Sequence, residues 1–330
     1  MQRPTYIDPE DFRVFSGSSN PELAEAIAQY LSVPLSPTRI RRFSNDNLYV
    51  QLGASVRART VIIVQSFNPP VDAHFVELLM MLDSARSAGA REIHAIIPYY
   101  SYARSDKKDA PRISIAGRLV ARLLEAAGTT HVVTMTLHSP QVHGFFDVPI
   151  DPLTARPVFT DYFKKQDLSH SIVVSPDAGH TASAARFAET LGLPMAAGSK
   201  TRISDKEVRI ASLIGNVQGF RRAIVYDDEI SAGSTTLTIA KLLLEHGIEE
   251  ITAVCTHGIF CGQALEKLSA IPQITEIVTT DTVPTPLEKR VPQLRILSVA
   301  PLFGEAIRRN YLHQGIGDLF TFWEEFRPEP

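Results

Sequence analysis

The sequence predicts an α/β protein made of two doubly wound parallel-sheet domains, and three observations carry that expectation. Short runs rich in Val and Ile alternate with amphipathic stretches along nearly the whole chain, as in right-handed strand–helix–strand units. Some runs are apolar without interruption, Val61-Ile62-Ile63-Val64 among them, which suits strands covered on both faces. The length of 330 residues accommodates two domains, each with its own core.

The elements can be justified in order. Asn20-Pro21-Glu22 reads as an N-cap, a first-turn proline and an acid at a helix start. Leu23, Ala24, Ile27, Ala28 and Leu31 then recur at helical spacing. Leu48, Val50 and Leu52 alternate with Tyr49 and Gln51, the pattern of a half-buried strand. A helix is expected from Val71 to Ala88, stopped by Gly89, then a strand at Ile93–Ile97. A second helix should fill Ile115–Ala127 up to Gly128, followed by a strand at Val132–Met135. In the second half, strands are expected at Ile172–Ser175, Ala223–Tyr226 and Ile251–Cys255, with helices at Thr181–Leu191 and Ser234–Glu245. The seam falls near Val148-Pro149-Ile150-Asp151-Pro152, giving domains of residues 1–151 and 152–330. The last helix and tail are placed to pack back on the N-terminal domain.

Charge narrows the partners. With 33 Lys+Arg against 36 Asp+Glu, the chain has no basic footprint, which excludes nucleic acid as its main partner. Cys255 and Cys261 have neither zinc-ligand nor redox spacing and read as buried small hydrophobes. No window approaches eighteen apolar residues, and the opening residues lack an apolar leader, so no membrane is expected and the chain reads as cytoplasmic.

The chemistry gathers where each strand ends, the place where open parallel sheets bind ligands. Tyr102-Ala103-Arg104-Ser105-Asp106 follows one apolar run and Leu137-His138 another; Ser175-Pro176-Asp177-Ala178-Gly179-His180 follows a third. After Ile224-Val225-Tyr226 come Asp227 and Asp228, then Ser231-Ala232-Gly233-Ser234-Thr235 at a helix start. Small residues there let backbone N–H groups reach a phosphate. The paired acids suit the hydroxyls of an attached sugar, or a divalent metal. Neither a P-loop nor a dinucleotide-binding glycine pattern is present.

In this order, those stretches resemble the ribose-phosphate diphosphokinase (phosphoribosyl pyrophosphate synthetase) family. Arg42-Phe43-Ser44, Val64-Gln65-Ser66, the segment Gln141 to Asp147, and Thr256-His257-Gly258-Ile259-Phe260 belong to the same resemblance, which runs from about Phe15 to Phe320. It implies two domains of type I phosphoribosyltransferase-like fold, Mg²⁺ as cofactor, dimer-based homo-oligomers up to hexamers, and a response to phosphate and ADP. It also implies transfer of the β,γ-diphosphoryl group of ATP to the C1 hydroxyl of ribose 5-phosphate, releasing AMP.

By the same resemblance, Lys200 and Arg202 are catalytic on a flexible loop, although by residue type alone they read as solvated surface cations. His138 and Asp177 are metal-associated. Phe43, Asn45, Asp46, Asn47, Arg104, Ser105 and Asp106 serve ATP, with Phe43 packing against adenine from a neighbouring subunit. Asp227 and Asp228 hold the ribose hydroxyls, and Ser231, Ala232, Gly233, Ser234 and Thr235 cradle the 5-phosphate. The chain departs from the family pattern in three places. Ser231-Ala232-Gly233-Ser234-Thr235 stands for Asp-Thr-Gly-Gly-Thr, Asn45-Asp46-Asn47 for Asp-Gly-Glu, and Ser105 for Gln. A catalytically silent regulatory homologue, a paralogue using another sugar phosphate and a phosphoribosyltransferase are the rival readings. The cluster Phe322, Trp323 and Phe326 reads as a packing or oligomer contact.

Overall fold

The computed structural model describes residues 6–204 and 207–319, apart from the side chains of residues 200–204, 207–211 and 318. The tail aromatics Phe322, Trp323 and Phe326 lie outside the described residues. Contacts divide the chain into two units: one runs up to Thr154 and resumes at Ser298, and the other is Ala155–Leu297.

The first unit holds β1 (Phe12–Ser16), α1 (Pro21–Tyr30), β2 (Leu35–Ser36), β3 (Thr38–Arg42), β4 (Leu48–Leu52), β5 (Thr60–Val64), α2 (Val71–Ser87), β6 (Glu92–Ile97), α3 (Ala116–Ala127), β7 (His131–Met135) and β8 (Ile150–Leu153). The second holds α4 (Arg156–Phe163), β9 (Ser171–Ser175), α5 (Thr181–Leu191), β10 (Met195–Ser204), β11 (Glu207–Ile214), β12 (Arg222–Ile230), α6 (Ser234–Glu245), β13 (Glu250–Gly258), α7 (Ala264–Ser269), β14 (Ile274–Thr280) and β15 (Leu294–Leu297). The chain then returns to the first unit as α8 (Ala300–Tyr311).

The first sheet has the order β2-β1-β5-β6-β7-β8, parallel throughout. The second reads β11-β10-β9-β12-β13-β14-β15, parallel except for the edge strand β11. If only parallel strands are numbered, in chain order within each unit, both sheets read 2-1-3-4-5-6. In each unit the order therefore reverses between strands 1 and 3, the crevice where doubly wound sheets take ligands.

The local signals act as expected. Asn20 Oδ1 accepts a hydrogen bond from Leu23 N at 3.3 Å, capping α1. Gly89 and Gly128 follow α2 and α3 at φ of 80° and 114°, the left-handed region that ends a helix without a Cβ clash. Every residue of β5 and of β9 is buried. Ile63, Phe67, Leu78, Met81 and Leu124 join the first core, and Ile172, Val225, Ile239, Leu243 and Ile251 the second.

In the first unit the crevice is closed by the chain's own side chains. Buried Gln65 and Glu77 reach each other at 2.7 Å, Ser18 N donates to Glu77 Oε1 at 2.6 Å, and Ser19 N donates to Gln65 Oε1 at 3.0 Å. Gly17 is required here, because a Cβ on it would lie 2.2 Å from Gln65 Oε1.

Several boundaries differ from expectation. The strand expected to end at Tyr226 continues to Ile230, because pairing of Asp227 with Cys255 and Glu229 with His257 carries it past the point where its apolar run stops. The seam falls after Thr154 rather than Asp151, since β8 pairs with β7 as far as Leu153. The strand at Leu48–Leu52 pairs only with β3, in a hairpin outside the main sheet. Cys255 is buried as expected but Cys261 is exposed, just beyond the end of β13. Among the described residues no helix is long and apolar enough to cross a membrane.

Candidate active site

The second unit places its acids at the crevice between β9 and β12. Asp177 lies two residues beyond the end of β9, and its Oδ1 accepts from Gly179 N at 2.8 Å, turning the chain toward α5. Ser175 Oγ donates to the Asp177 carbonyl at 2.7 Å and fixes the same turn. Asp227 and Asp228 lie on the neighbouring strand, 9% and 7% exposed, which is low enough to shield their charges from most solvent. Asp227 Oδ1 accepts from Asp228 N at 2.9 Å.

His180 stands among all three carboxylates. Its Nε2 is 3.0 Å from Asp228 Oδ1, and its Nδ1 is 3.4 Å from Asp227 Oδ1 and 3.5 Å from Asp177 Oδ1. The two longer distances mark charge contacts rather than well-aligned hydrogen bonds. Burial alone would lower the affinity of His180 for a proton. Its hydrogen-bond and charge interactions with Asp177, Asp228 and Asp227 outweigh that effect and push it up to about 11. Asp227 moves well above the ordinary carboxylate range, through burial first and then the charge of Asp228, with His180 opposing both. His180 was visible in the sequence as the last residue of the segment after β9, but nothing in its spacing assigned it to the acids on another strand.

The expected phosphate loop follows β12. Gly233 adopts φ 75° immediately before α6, so the chain can reverse and present the helix N-terminus. Ser231 O accepts from Cys261 N at 2.9 Å, and Ser231 Oγ meets Cys261 Sγ at 3.5 Å. Ala232 and Ser234 are exposed, while Ser231 and Thr235 are half-buried. A helix start with small residues is a physically sound anion site.

The first unit carries the residues expected to serve ATP. Phe43, 47% exposed, leaves β3 at a hairpin tip; its ring meets Tyr49 edge-on at 5.7 Å, and the Arg41 guanidinium lies 5.2 Å from its centroid. Asn45 Oδ1 accepts from Asn47 N at 3.3 Å, so this amide helps shape the turn, and Asp46 pairs with Arg42 at 3.1 Å. Arg104 is exposed at the end of a short 3-10 turn. Ser105 Oγ accepts from Ala116 N at 3.1 Å and donates to Ser114 O at 3.2 Å, holding the start of α3. Asp106 accepts a hydrogen bond from the Ser139 hydroxyl, and His138 precedes Ser139 in the half-buried segment after β7.

Lys200 and Arg202 were expected on a loop. Their backbones instead belong to β10, opposite Ile210 and Val208 of β11, with register shifts beside each. Their side chains lie outside the described residues.

The donor chemistry of the second unit fits a hard divalent cation. Three carboxylates surround a single imidazole, leaving negative charge in surplus, and carboxylate oxygen is the ligand that Mg²⁺ and similar ions prefer. Asp177 and Asp227 present oxygens held in place by backbone N–H groups.

A doubly wound crevice with buried paired acids, followed by a glycine turn into a helix N-terminus, defines an α/β protein of the sugar-phosphate-handling class. Comparisons with known proteins narrow this. Residues 12–128 match the N-terminal domain of ribose phosphate pyrophosphokinase, and residues 197–321 the phosphoribosyl synthetase-associated domain. The chain is 54% identical over 310 residues to a Streptomyces coelicolor protein provisionally named a ribose-phosphate pyrophosphokinase, covering 94% of this chain and 98% of that one. It is 45% identical over 313 residues to the Deinococcus radiodurans ribose-phosphate pyrophosphokinase, covering 93% and 97%. The crystal structure of phosphoribosylpyrophosphate synthetase from Mycobacterium smegmatis matches with a TM-score of 0.86 at 36% identity, over 92% of this chain and 99% of that one. The chain belongs to the ribose-phosphate pyrophosphokinase family.

Proposed function

We propose that this protein transfers the β,γ-diphosphoryl group of ATP to the C1 hydroxyl of ribose 5-phosphate, forming phosphoribosyl pyrophosphate and AMP. The observation that carries the reading is the buried Asp227–Asp228 pair on β12, ahead of the Gly233 turn into α6. It offers hydroxyl acceptors and a phosphate cradle in the order a pentose phosphate requires. Family membership supports the same substrate class.

In this reading Asp227 and Asp228 accept hydrogen bonds from the ribose hydroxyls and orient the sugar. Backbone N–H groups and hydroxyls of Ser231–Thr235 hold the 5-phosphate. The C1 hydroxyl oxygen forms a bond to the β-phosphorus and releases its proton to solvent, the bond from that phosphorus to the α,β-bridging oxygen breaks, and AMP leaves. Lys200 and Arg202 stabilise charge on the transferring phosphoryl oxygens. Arg104 binds ATP phosphate; Ser105 and Asp106 line the same segment. Phe43, with Asn45, Asp46 and Asn47, receives adenine. Asp177 and His138 would hold Mg²⁺, which when bound would supply neutralising charge to the phosphates.

We further read the protein as a cytoplasmic, dimer-based homo-oligomer. Leu119 and Leu123, four residues apart on α3, are 51% and 38% exposed and Val76 on α2 is 46% exposed, apolar surface that a second copy of the chain would cover.

The test is ³¹P NMR of the purified protein with Mg²⁺, ATP and ribose 5-phosphate. AMP together with a new C1-diphosphate signal is the expected result. A folded protein that forms no AMP with these or related pentose phosphates overturns it in favour of the silent regulatory homologue, which the altered Ser231–Thr235 loop would then explain.

A further inference from the structure

β12 and β13 last pair at Ile230 and Gly258, yet the two segments stay joined beyond that point. Ile259 N and Phe260 N both donate to Ile230 O at 3.1 Å, and Cys261 N donates to Ser231 O at 2.9 Å. Three successive N–H groups of the connector between β13 and α7 thus grip the chain where the loop of residues 231–235 begins. Phe260 holds this grip in an uncommon conformation. Its φ of 45° lies in the left-handed region, which a bulky residue keeps only where its surroundings dictate it. Its buried ring belongs to the second core. The middle of the loop rests on the same support: a Cβ on Gly233 would stand 3.6 Å from Ala264 Cβ and 3.7 Å from Leu268 Cδ1 of α7, ordinary contact distances.

One contact between connector and loop is made by side chains. Ser231 Oγ donates to Cys261 Sγ at 3.5 Å, a length that the large sulfur atom allows. A hydroxyl carries one proton, so with that proton on sulfur Ser231 Oγ meets a ligand only as an acceptor. The family pattern has a carboxylate at this position, and an ionised carboxylate also only accepts. The Cys261 N–H fixes where Ser231 lies, and the Cys261 sulfur fixes which way its hydroxyl hydrogen points.

We propose that Cys261 is a positioning residue for the sugar-phosphate site, turning Ser231 Oγ into an acceptor for a sugar hydroxyl. The 5-phosphate is then left to the backbone N–H groups and to the hydroxyls farther along the loop, Ser234 and Thr235. This rests on the reading of residues 231–235 as the pentose-phosphate loop. It gives the serine at the head of that loop the hydrogen-bonding role of the carboxylate it replaces, at a site where the chain departs from its family.

The test pairs steady-state kinetics with a thiol footprint, both on the full-length protein. Cys261→Ala should raise the KM for ribose 5-phosphate roughly 3- to 10-fold, the worth of about one oriented hydrogen bond, with kcat and the KM for ATP held within about 2-fold. Ser231→Ala should do the same, and the double variant should be no worse than Ser231→Ala alone, since Cys261 acts through Ser231. An unchanged KM in Cys261→Ala, effects that multiply in the double variant, or a loss spread equally over kcat and both KM values overturns the proposal. Iodoacetamide reads the same contact without turnover. Cys261 is exposed and Cys255 buried, so Cys261 should be alkylated first, and ribose 5-phosphate should slow that reaction. The concentration that gives half protection should rise in Ser231→Ala. Protection that weakens in this way without turnover leaves Cys261 in its role and removes the catalytic reading. Turnover with no protection, or with protection indifferent to Ser231, removes the role of Cys261 alone, and the absence of both turnover and protection removes the two together.

Discussion

At the scale of single residues, the two acids of β12 are useful because their strand is buried. A carboxylate 9% exposed beside another at 7% gains much from any partner that carries positive charge or donates hydrogen bonds. Sugar hydroxyls, a metal and His180 are all such partners. Ser231, the residue directly after Ile230, lacks the carboxylate that the family pattern carries there, although its backbone is held to Cys261 at 2.9 Å. Ser231→Asp should therefore leave the loop in place and lower the KM for ribose 5-phosphate by roughly 3- to 10-fold, the worth of about one added hydrogen bond. An unchanged or higher KM in steady-state kinetics would show that the loop is adapted to something other than this sugar. Lys200 sits on β10 and is expected to act only on charge that develops during transfer. Lys200→Ala should lower kcat on the order of 100-fold or more while changing substrate binding far less. Near-normal turnover would remove it from the mechanism.

Between elements, the contact of α1 with α8 joins the opening of the chain to its last described helix. Gly304 lets the helices approach, since a Cβ there would fall 2.3 Å from Tyr30 Cδ1. Glu305, one residue on, accepts from Arg308 Nε at 2.8 Å, Arg309 Nε at 2.6 Å and Tyr30 Oη at 3.1 Å. Hydrogen bonding to Arg308, then to Arg309 and Tyr30, holds its carboxyl at about 2 against an opposing burial effect. A depressed carboxyl stabilises the fold above its ordinary value of 4.5 and loses that contribution as the pH falls through 2. Glu305→Gln should thus cost about 1 kcal/mol at neutral pH. The difference from wild type should shrink between pH 4.5 and 2 in denaturant titrations. A deficit that stays constant with pH would mean that the network is not ionic.

Across the whole molecule, the first unit is completed by residues made after the second. Phe303 on α8 is fully buried, and its removal opens a cavity in a unit whose sheet was finished about 150 residues earlier. Phe303→Ala should destabilise the first unit by about 3–5 kcal/mol. Hydrogen exchange should show protection lost in β1 and β5 and largely kept in β9 and β12. Equal loss in both sheets would mean that the two units unfold as one.

Much of this was legible in the chain. Asn20, Gly89, Gly128 and Gly233 punctuate elements through their own conformational chemistry, and the apolar run of β5 announces burial on both faces. The segments after β9 and β12 declared polar chemistry at strand ends. Elements whose character depends on neighbours were not legible. β12 outlasts its apolar run because β13 pairs with Asp227 and Glu229, and Cys261 is exposed because its strand has already ended. The sequence by itself determined the alternation of strands and helices, the helix stops and the kinds of side chain at each strand end, because these follow from local propensity and periodicity. Only the tertiary structure decided that the two sheets share one strand order, that Gln65 and Glu77 close the first crevice, and that His180 meets three acids in the second. Those outcomes depend on strands adjacent in space but distant in sequence, and periodicity carries no information about which strands will be neighbours.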